Sequence, residues 1–283
     1  ATPGGLDGSV AIPAARAGKH ILCEKPLEVT PEKVAAIVAA CAESGVLLSA
    51  VFQSRFSSAV QTIRRALDAG RFGTPVLASA SIRWYRTPEY YRNAGWRGTR
   101  ALDGGGALMN QGIHTVDLLT YFGGPVRRVV GRTANRLHRT IEVEDTAAGL
   151  IEFASGALGL VEASTACAPG LPRRVELSGT AGSAILEGDR IVYWQFDREL
   201  PGDEAIRTQH LQGENLQGGA QNPQAISCEG HRRQLAELAD AIRLGTPLRA
   251  PGSDAASAVR LITAIYESNR TGQPVELDED PLS

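Results

Sequence analysis

Two stretches of this 283-residue chain carry side chains suited to proton and charge chemistry. The first is Glu24-Lys25-Pro26, directly after the short apolar run Ile21-Leu22-Cys23. In open α/β sheets, ligands lie outside the carboxyl ends of the strands. A lysine placed there, beside an apolar run, can be partly desolvated. It can then donate a hydrogen bond to a substrate oxygen or take part in proton transfer. Pro26 can fix the turn through a cis bond. A solvated surface turn is the competing reading of the same three residues.

The second stretch is Asp103-Gly104-Gly105-Gly106, followed by Asn110, His114 and Asp117. Asn110 and His114 are four apart and share a face of the predicted helix. The ordinary pKa of histidine lies near neutrality, which suits His114 to general acid/base work. Three glycines ahead of it let the backbone approach a ligand closely. The alternative is a core histidine satisfied by a neighbour, with glycines that serve only a turn. One His and one Asp do not complete a ligand set, so no metal is implied. Nor do the glycines satisfy GxGxxG: position 109 is Met, and no strand feeds into them.

A third stretch interleaves aromatics with arginines: Arg83-Trp84-Tyr85-Arg86, Tyr90-Tyr91-Arg92 and Trp96-Arg97-Gly98. Such a surface can stack on sugar rings and hydrogen-bond hydroxyls or phosphates. Nucleic acid is the rival ligand. The net charge of −2 and the lack of a wider basic face count against it. An interface loop that buries its aromatics is the third reading.

These residues need a frame. The first ~50 residues read helix (6–18), strand (21–23), helix opening at Thr30-Pro31, strand (46–52), which by alternation argues a parallel sheet with crossover helices. A helix follows over 57–69, a strand over 75–86 and a helix over 107–122. Strands at 126–135, 145–153, 157–166, 173–178, 183–187 and 190–196 are joined by short turns, which argues an antiparallel sheet. Residues 198–227 read as a long loop, and helices at 229–244 and 252–269 close the chain. The fold class is therefore α/β plus α+β. No apolar run reaches the roughly 18 residues that span a bilayer, so no membrane association is expected. Cys23, Cys41, Cys167 and Cys228 form no CxxC pair, which points to a reducing, cytoplasmic setting.

Taken together the motifs are more specific than any one alone. In order they are Thr2-Pro3, Ala17-Gly18-Lys19-His20, Leu22-Cys23-Glu24-Lys25-Pro26-Leu27, Gln53-Ser54-Arg55-Phe56, Trp96-Arg97-Gly98-Thr99 and Asp103 to Asp117. They resemble the glucose–fructose oxidoreductase / inositol dehydrogenase / rhizopine-catabolism family (Gfo/Idh/MocA). The resemblance runs from residue 1 to about 275 and includes Val143-Glu144-Asp145-Thr146-Ala147. It implies an NAD(P)-dependent oxidoreductase that moves hydride between a nicotinamide cofactor, NAD or NADP, and a secondary alcohol of a sugar, polyol or sugar derivative. The alternatives are a non-catalytic dinucleotide- or sugar-sensing regulator and an NAD-dependent glycosidase.

By the same resemblance, residues 1–53 look like the C-terminal remnant of a Rossmann domain. Residues 54–283 look like an α+β domain for substrate binding and homo-oligomer contacts through its sheet. The Gly-rich phosphate loop is not found in the chain, so negligible dinucleotide affinity is expected of it by itself. The nicotinamide side of the site would be Thr2, Pro3, Leu6, Glu24, Lys25, Gln53, Arg55, Trp96 and Arg97. Lys25, Asn110 and His114 would be catalytic, with Trp84, Tyr91 and Arg97 joining them around the substrate. Polyol dehydrogenases of the family usually carry aspartate at the position of Asn110. Members acting on nucleotide-linked sugars resemble this chain more closely there, which makes inositol a less expected substrate.

Overall fold

The computed structural model describes residues 3–211 and 228–277. A 3-10 turn, Gly4–Leu6, runs into α1 (Asp7–Arg16), followed by β1 (Ile21–Cys23), α2 (Pro31–Glu43) and β2 (Leu48–Ala50). β1 and β2 pair in parallel, Ile21 against Leu48 and Cys23 against Ala50. This is the predicted alternation. α2 begins where Thr30 caps the Lys33 amide and Pro31 fills the first helical position. It buries Val34, Ile37, Ala40 and Cys41. Val10 and Leu22 remain exposed on this unit.

A second 3-10 segment, Gln53–Phe56, and α3 (Ser58–Asp68) lead into the larger unit. It contains β3 (Pro75–Arg83), α4 (Pro88–Arg92), a π-helical stretch Ala107–Gly112 continuous with α5 (Ile113–Gly123), and β4 (Val126–Ala134). Next come β5 (Thr146–Phe153), β6 (Leu158–Ser164), β7 (Arg174–Gly179), β8 (Gly182–Glu187) and β9 (Arg190–Phe196). The described chain ends with α6 (Asp203–Leu211), α7 (Glu229–Leu244), α8 (Gly252–Thr271) and β10 (Val275–Glu276). The eight-stranded sheet has the order β10-β4-β5-β6-β3-β7-β8-β9. β3 and β6 run parallel, and the other neighbours are antiparallel.

Alternation along these strands buries one face. Ala80, Ile82, Val129, Ile151, Val161 and Val175 point inward, where α5 and α8 cover them. α8 lies so close to β4 that a Cβ on Gly131 would stand 2.7 Å from Ile265. α8 also reaches back to the first unit. The Ala50 amide donates to the Ala250 carbonyl at 3.2 Å, and Gly252 packs directly on Leu48. One continuous apolar core thus runs from Ala11 to Ile265. Among the described residues no helix is long and apolar enough to cross a membrane.

Two expectations need correction. Residues 198–227 are not wholly a loop, because α6 occupies Asp203–Leu211; residues 212–227 lie outside the described part. Long-range contacts hold α6 in place. Asp203 pairs with Arg71 at 2.7 and 2.9 Å and accepts from Trp194 Nε1 at 2.8 Å. Arg71 holds the Asp203 carboxyl well below the usual carboxylate range. The helix predicted over 107–122 is π-wound through its first half. Its start is clamped from a distant loop: Glu144 accepts the Gly106 and Leu108 amides on its carboxylate, at 2.9 Å each, and the Ala107 amide on its carbonyl at 3.0 Å.

Candidate active site

The site forms where the carboxyl ends of β1 and β2 meet the π-helical turn. Lys25 follows β1, the Lys25–Pro26 peptide is cis, and the ring of Pro26 packs against Gly4. The half-buried ammonium donates to the backbone carbonyl of Asn110 at 2.6 Å. A π segment shifts a helix from i−4 to i−5 hydrogen bonding, and in that segment the Asn110 carbonyl takes the lysine. Burial lowers the Lys25 pKa; Glu24 and Asp103 oppose the shift, and Arg86 adds to it. Lysine has three N–H donors and this contact uses one, so two can face a ligand.

His114 stands one turn further on. The Phe52 ring meets its imidazole edge-on at 6.0 Å. Its Nδ1 is buried with no hydrogen-bond partner among the described residues. Burial, then the charges of Lys25, Arg173 and His231, push its pKa well below the ordinary value of 6.5. The imidazole is therefore neutral at pH 7 and can accept a proton.

Asn110 does not do what its spacing from His114 suggests. Its side chain turns to Asp103, donating to Oδ1, and accepts from Gln111 Nε2 at 2.7 Å. The π turn breaks the simple i, i+4 relation, so the two side chains do not meet. Asp103 also accepts the Gly98 amide at 2.8 Å. Burial pushes its carboxyl up to about 6, against the opposing pull of the Gly98 amide and the Asn110 side chain. Gln111 carries the network to Tyr90 Oη at 2.9 Å, and Arg86 Nε donates to Gln111 Oε1 at 2.9 Å.

The three glycines approach protein, not ligand. Gly104 sits at φ +73°, and Cβ atoms on Gly104, Gly105 and Gly106 would collide with Val29, the Tyr266 hydroxyl and the Glu144 carbonyl. Glycine is required here by packing within the protein, beyond the turn expected from sequence.

The other expected residues divide. Gln53 is half-buried at the end of β2, and its Oε1 is buried and unpartnered among the described residues. Arg97 lies over Tyr90 at 4.2 Å and Trp96 at 5.3 Å. Trp84 is half-buried with an unpartnered Nε1 beneath the Arg86 guanidinium. Pro3 is half-buried, while Leu6 and Glu24 are exposed; Thr2 lies outside the described residues.

Two residues are misassigned by sequence. Arg55 is 2% exposed and forms a forked pair with Asp117 at 2.6 and 2.9 Å, with further bonds to Asp254 and the Arg249 carbonyl. All three of its nitrogens are engaged with protein partners, so it is a strut under the site. Tyr91 is buried, its hydroxyl shares a hydrogen bond with the Thr165 hydroxyl at 2.9 Å, and its ring meets that of His138 at a tilt of 55°, 4.6 Å between centroids. It supports the loop and does not face substrate.

Sequence reasoning did not single out Asp103 or Gln111, which hold the Asn110 side chain. Asp103 stands in the motif directly before the three glycines, and the fold bonds it to Asn110 and the Gly98 amide.

Comparison with known proteins places the chain among oxidoreductases. Residues 1–52 match the model described as oxidoreductase family, NAD-binding Rossmann fold, and residues 60–185 match the GFO/IDH/MocA C-terminal domain. The solved WlbA dehydrogenase of Bordetella pertussis, in complex with NADH and UDP-GlcNAcA, is 32% identical with a TM-score of 0.85, covering 99% of this chain and 79% of that one. The scyllo-inositol 2-dehydrogenase (NAD(+)) of Bacillus subtilis is 28% identical over 98% of this chain and 76% of its own length. The 1,5-anhydro-D-fructose reductase of Ensifer adhaerens is 28% identical over 94% and 74%.

Proposed function

The chain belongs to the Gfo/Idh/MocA family of NAD(P)-dependent sugar and polyol oxidoreductases, and from that premise we propose that its substrate is a nucleotide-linked sugar oxidised between Lys25 and His114. The observation that carries the site assignment is the pairing of a neutral, partly buried imidazole with an ammonium whose charge reaches it. The orphaned Oε1 of Gln53 and the half-buried Lys25, at the carboxyl ends of the parallel strands, fit the polar edge of a nicotinamide. When bound, that ring supplies the hydride acceptor.

His114 takes the hydroxyl proton of the substrate. Lys25 donates to the same oxygen and stabilises the negative charge that develops there. The Asn110 carbonyl aims the ammonium, and Asp103 and Gln111 hold Asn110 in place. Trp84 and Arg97 offer aromatic and cationic faces to the sugar and its linked group. Residues 1–53 make the nicotinamide side, and residues 54–283 the substrate side.

Asn110 in place of an acid and the likeness to a dehydrogenase solved with a UDP-sugar support the nucleotide-linked substrate over inositol. Assays of cofactor reduction with a UDP-linked sugar and with myo-inositol test it, run at high concentrations of NAD and of NADP because the chain holds no Gly-rich phosphate loop. Turnover of the UDP-sugar with inositol silent is expected; preference for inositol would sink the reading.

We further propose a homo-oligomer in the cytoplasm, joined through the outer face of the large sheet. One row on that face runs Val130, Leu150, Leu160, Ser79, Glu176, Ile185, Tyr193, with successive members paired in register. Val130, Leu150, Leu160 and Tyr193 are exposed, as are Leu77 and Leu158 one step away. An apolar patch of this breadth suits a self-complementary partner, since a two-fold interface sets the same patch against itself. Leu160→Glu is expected to shift the protein to the monomer in size-exclusion light scattering; an unchanged mass would refute this interface.

A further inference from the structure

Resting on the role given above to Lys25, we propose that Asp103 is a positioning residue for the reaction: acting through Asn110, this buried carboxylate aims the Lys25 ammonium and keeps it charged. The hydrogen bonds form one line. Lys25 Nζ donates to the Asn110 carbonyl at 2.6 Å, and Asn110 Nδ2 donates to Asp103 Oδ1. The Gly98 amide donates to Asp103 Oδ2 at 2.8 Å, and the Asp103 amide donates to the Thr99 carbonyl at 3.1 Å. Backbone and carboxylate of Asp103 are thus both fixed on the turn at residues 96–99, and from there it reaches the π segment that leads to His114. Accepting from Gly98 and Asn110 does not by itself require a charge. At 2% exposure a carboxylate is costlier to bury than a neutral acceptor. The cations that offset this cost are Lys25 and Arg97.

Lys25 stabilises a developing negative oxygen only as the ammonium. Burial drives it toward the neutral amine, and the Arg86 charge pushes the same way. Glu24 and Asp103 oppose them. Glu24 exerts the larger pull of the two, yet it is exposed, where water and salt screen it. Asp103 acts from inside the protein, where a charge carries further. Its carboxyl, pushed up to about 6 by burial, is ionised at pH 7. Tyr91 and Tyr266 also feel its charge, and neither supplies a positive one. His114, the other titratable neighbour of Lys25, is neutral there.

The chain has three lysines, and Lys19 and Lys33 are exposed, so Lys25 can be followed by itself. The test is a pH titration of the lysine Cε and Nζ signals by NMR in isotope-labelled protein. Wild type, Asp103→Asn and the swap of Asp103→Asn with Asn110→Asp are compared. In wild type the Lys25 signal is expected to show a second, smaller inflection near pH 6, where Asp103 loses its charge. In Asp103→Asn that inflection should vanish, and Lys25 should lose its proton at lower pH than in wild type. The swap returns a carboxylate to the pair with donor and acceptor exchanged, and should restore the high titration of Lys25. Turnover is read on whichever of the UDP-linked sugar and myo-inositol the wild type oxidises. Asp103→Asn is expected to lower kcat about 10- to 100-fold, the size of a charge-assisted hydrogen bond. The alkaline limb of kcat/KM should move to lower pH with it, and the swap should recover most of the loss. A residue that only caps the turn would leave the Lys25 titration unmoved, and that result overturns the proposal. A wild-type Lys25 signal with no inflection near pH 6 overturns it too, whether or not the variants fold. A moved titration with unchanged kcat removes Lys25, and with it Asp103, from the reaction. If wild type oxidises neither compound, the sugar reading fails, and the titration by itself decides whether Asp103 holds the charge of Lys25.

Discussion

Replacing His114 with alanine is expected to lower kcat by about 10²- to 10⁴-fold with the fold retained. The reasoning starts from what the side chain touches. Its imidazole is half-buried, its Nδ1 has no partner among the described residues, and its ring contact is one edge of Phe52. Removing it breaks no hydrogen bond that supports the structure, so the melting temperature should move little. What is lost is the one neutral base beside Lys25. Lys25→Met should cost turnover too, and it carries a signature that a structural role would not. The Lys25 charge is among the causes that lower the His114 pKa, second after burial. His114 must be neutral to accept the hydroxyl proton, so activity falls as pH drops through its pKa. Without the lysine charge that pKa rises, and the acid limb of the kcat/KM profile should move to higher pH. Full turnover in both variants, or an unmoved acid limb in Lys25→Met, would refute the assigned roles.

The second large effect is on stability. Asp117→Ala leaves the Arg55 guanidinium buried with its forked partner gone. Arg55 is 2% and Asp117 0% exposed, and their oxygens and nitrogens lie 2.6 and 2.9 Å apart. Breaking a buried pair by removing one partner costs about 3–5 kcal/mol, a large part of the ~5–15 kcal/mol that holds a typical domain together. Asp254 still meets Arg55, but it is 38% exposed and bonds one nitrogen only. The denaturant midpoint should fall accordingly with an unchanged slope. The double change Arg55→Leu with Asp117→Leu should recover part of the loss, because no unpaired charge remains. A loss below about 1 kcal/mol in Asp117→Ala would show that the pair is not the strut described.

Asp117 also marks a limit of reading by spacing. From the sequence it lies three residues beyond His114, on nearly the same stripe of a helix. In the fold it turns to a residue 62 positions earlier, and His114 is left without a carboxylate. Arg55 errs in the opposite sense: the motif Gln53-Ser54-Arg55-Phe56 places it near the cofactor, yet only Gln53 has a free polar end there. Adjacent residues of a 3-10 turn point in different directions, and one-dimensional order does not say which one faces the site.

Local patterns were enough for much else. Period-two burial and turn residues marked β3 to β9, and Thr30-Pro31 marked the start of α2. Composition and the ordered motifs pointed to Lys25 and His114 and to the family. These rest on short-range physics, on which side chains alternate, which residue caps a helix and which tripeptide ends a strand, and such information is written contiguously. The tertiary structure alone decided the rest. Glu144 clamps the start of the π-helical stretch before α5 from 36 residues away, and that turn presents the Asn110 carbonyl to Lys25. Arg173, just ahead of β7, and Gly230, at the start of α7, come to Ser54 and Gln53 beside Phe52. Burial and converging charge lower the His114 pKa, and both depend on neighbours that only the folded chain assembles.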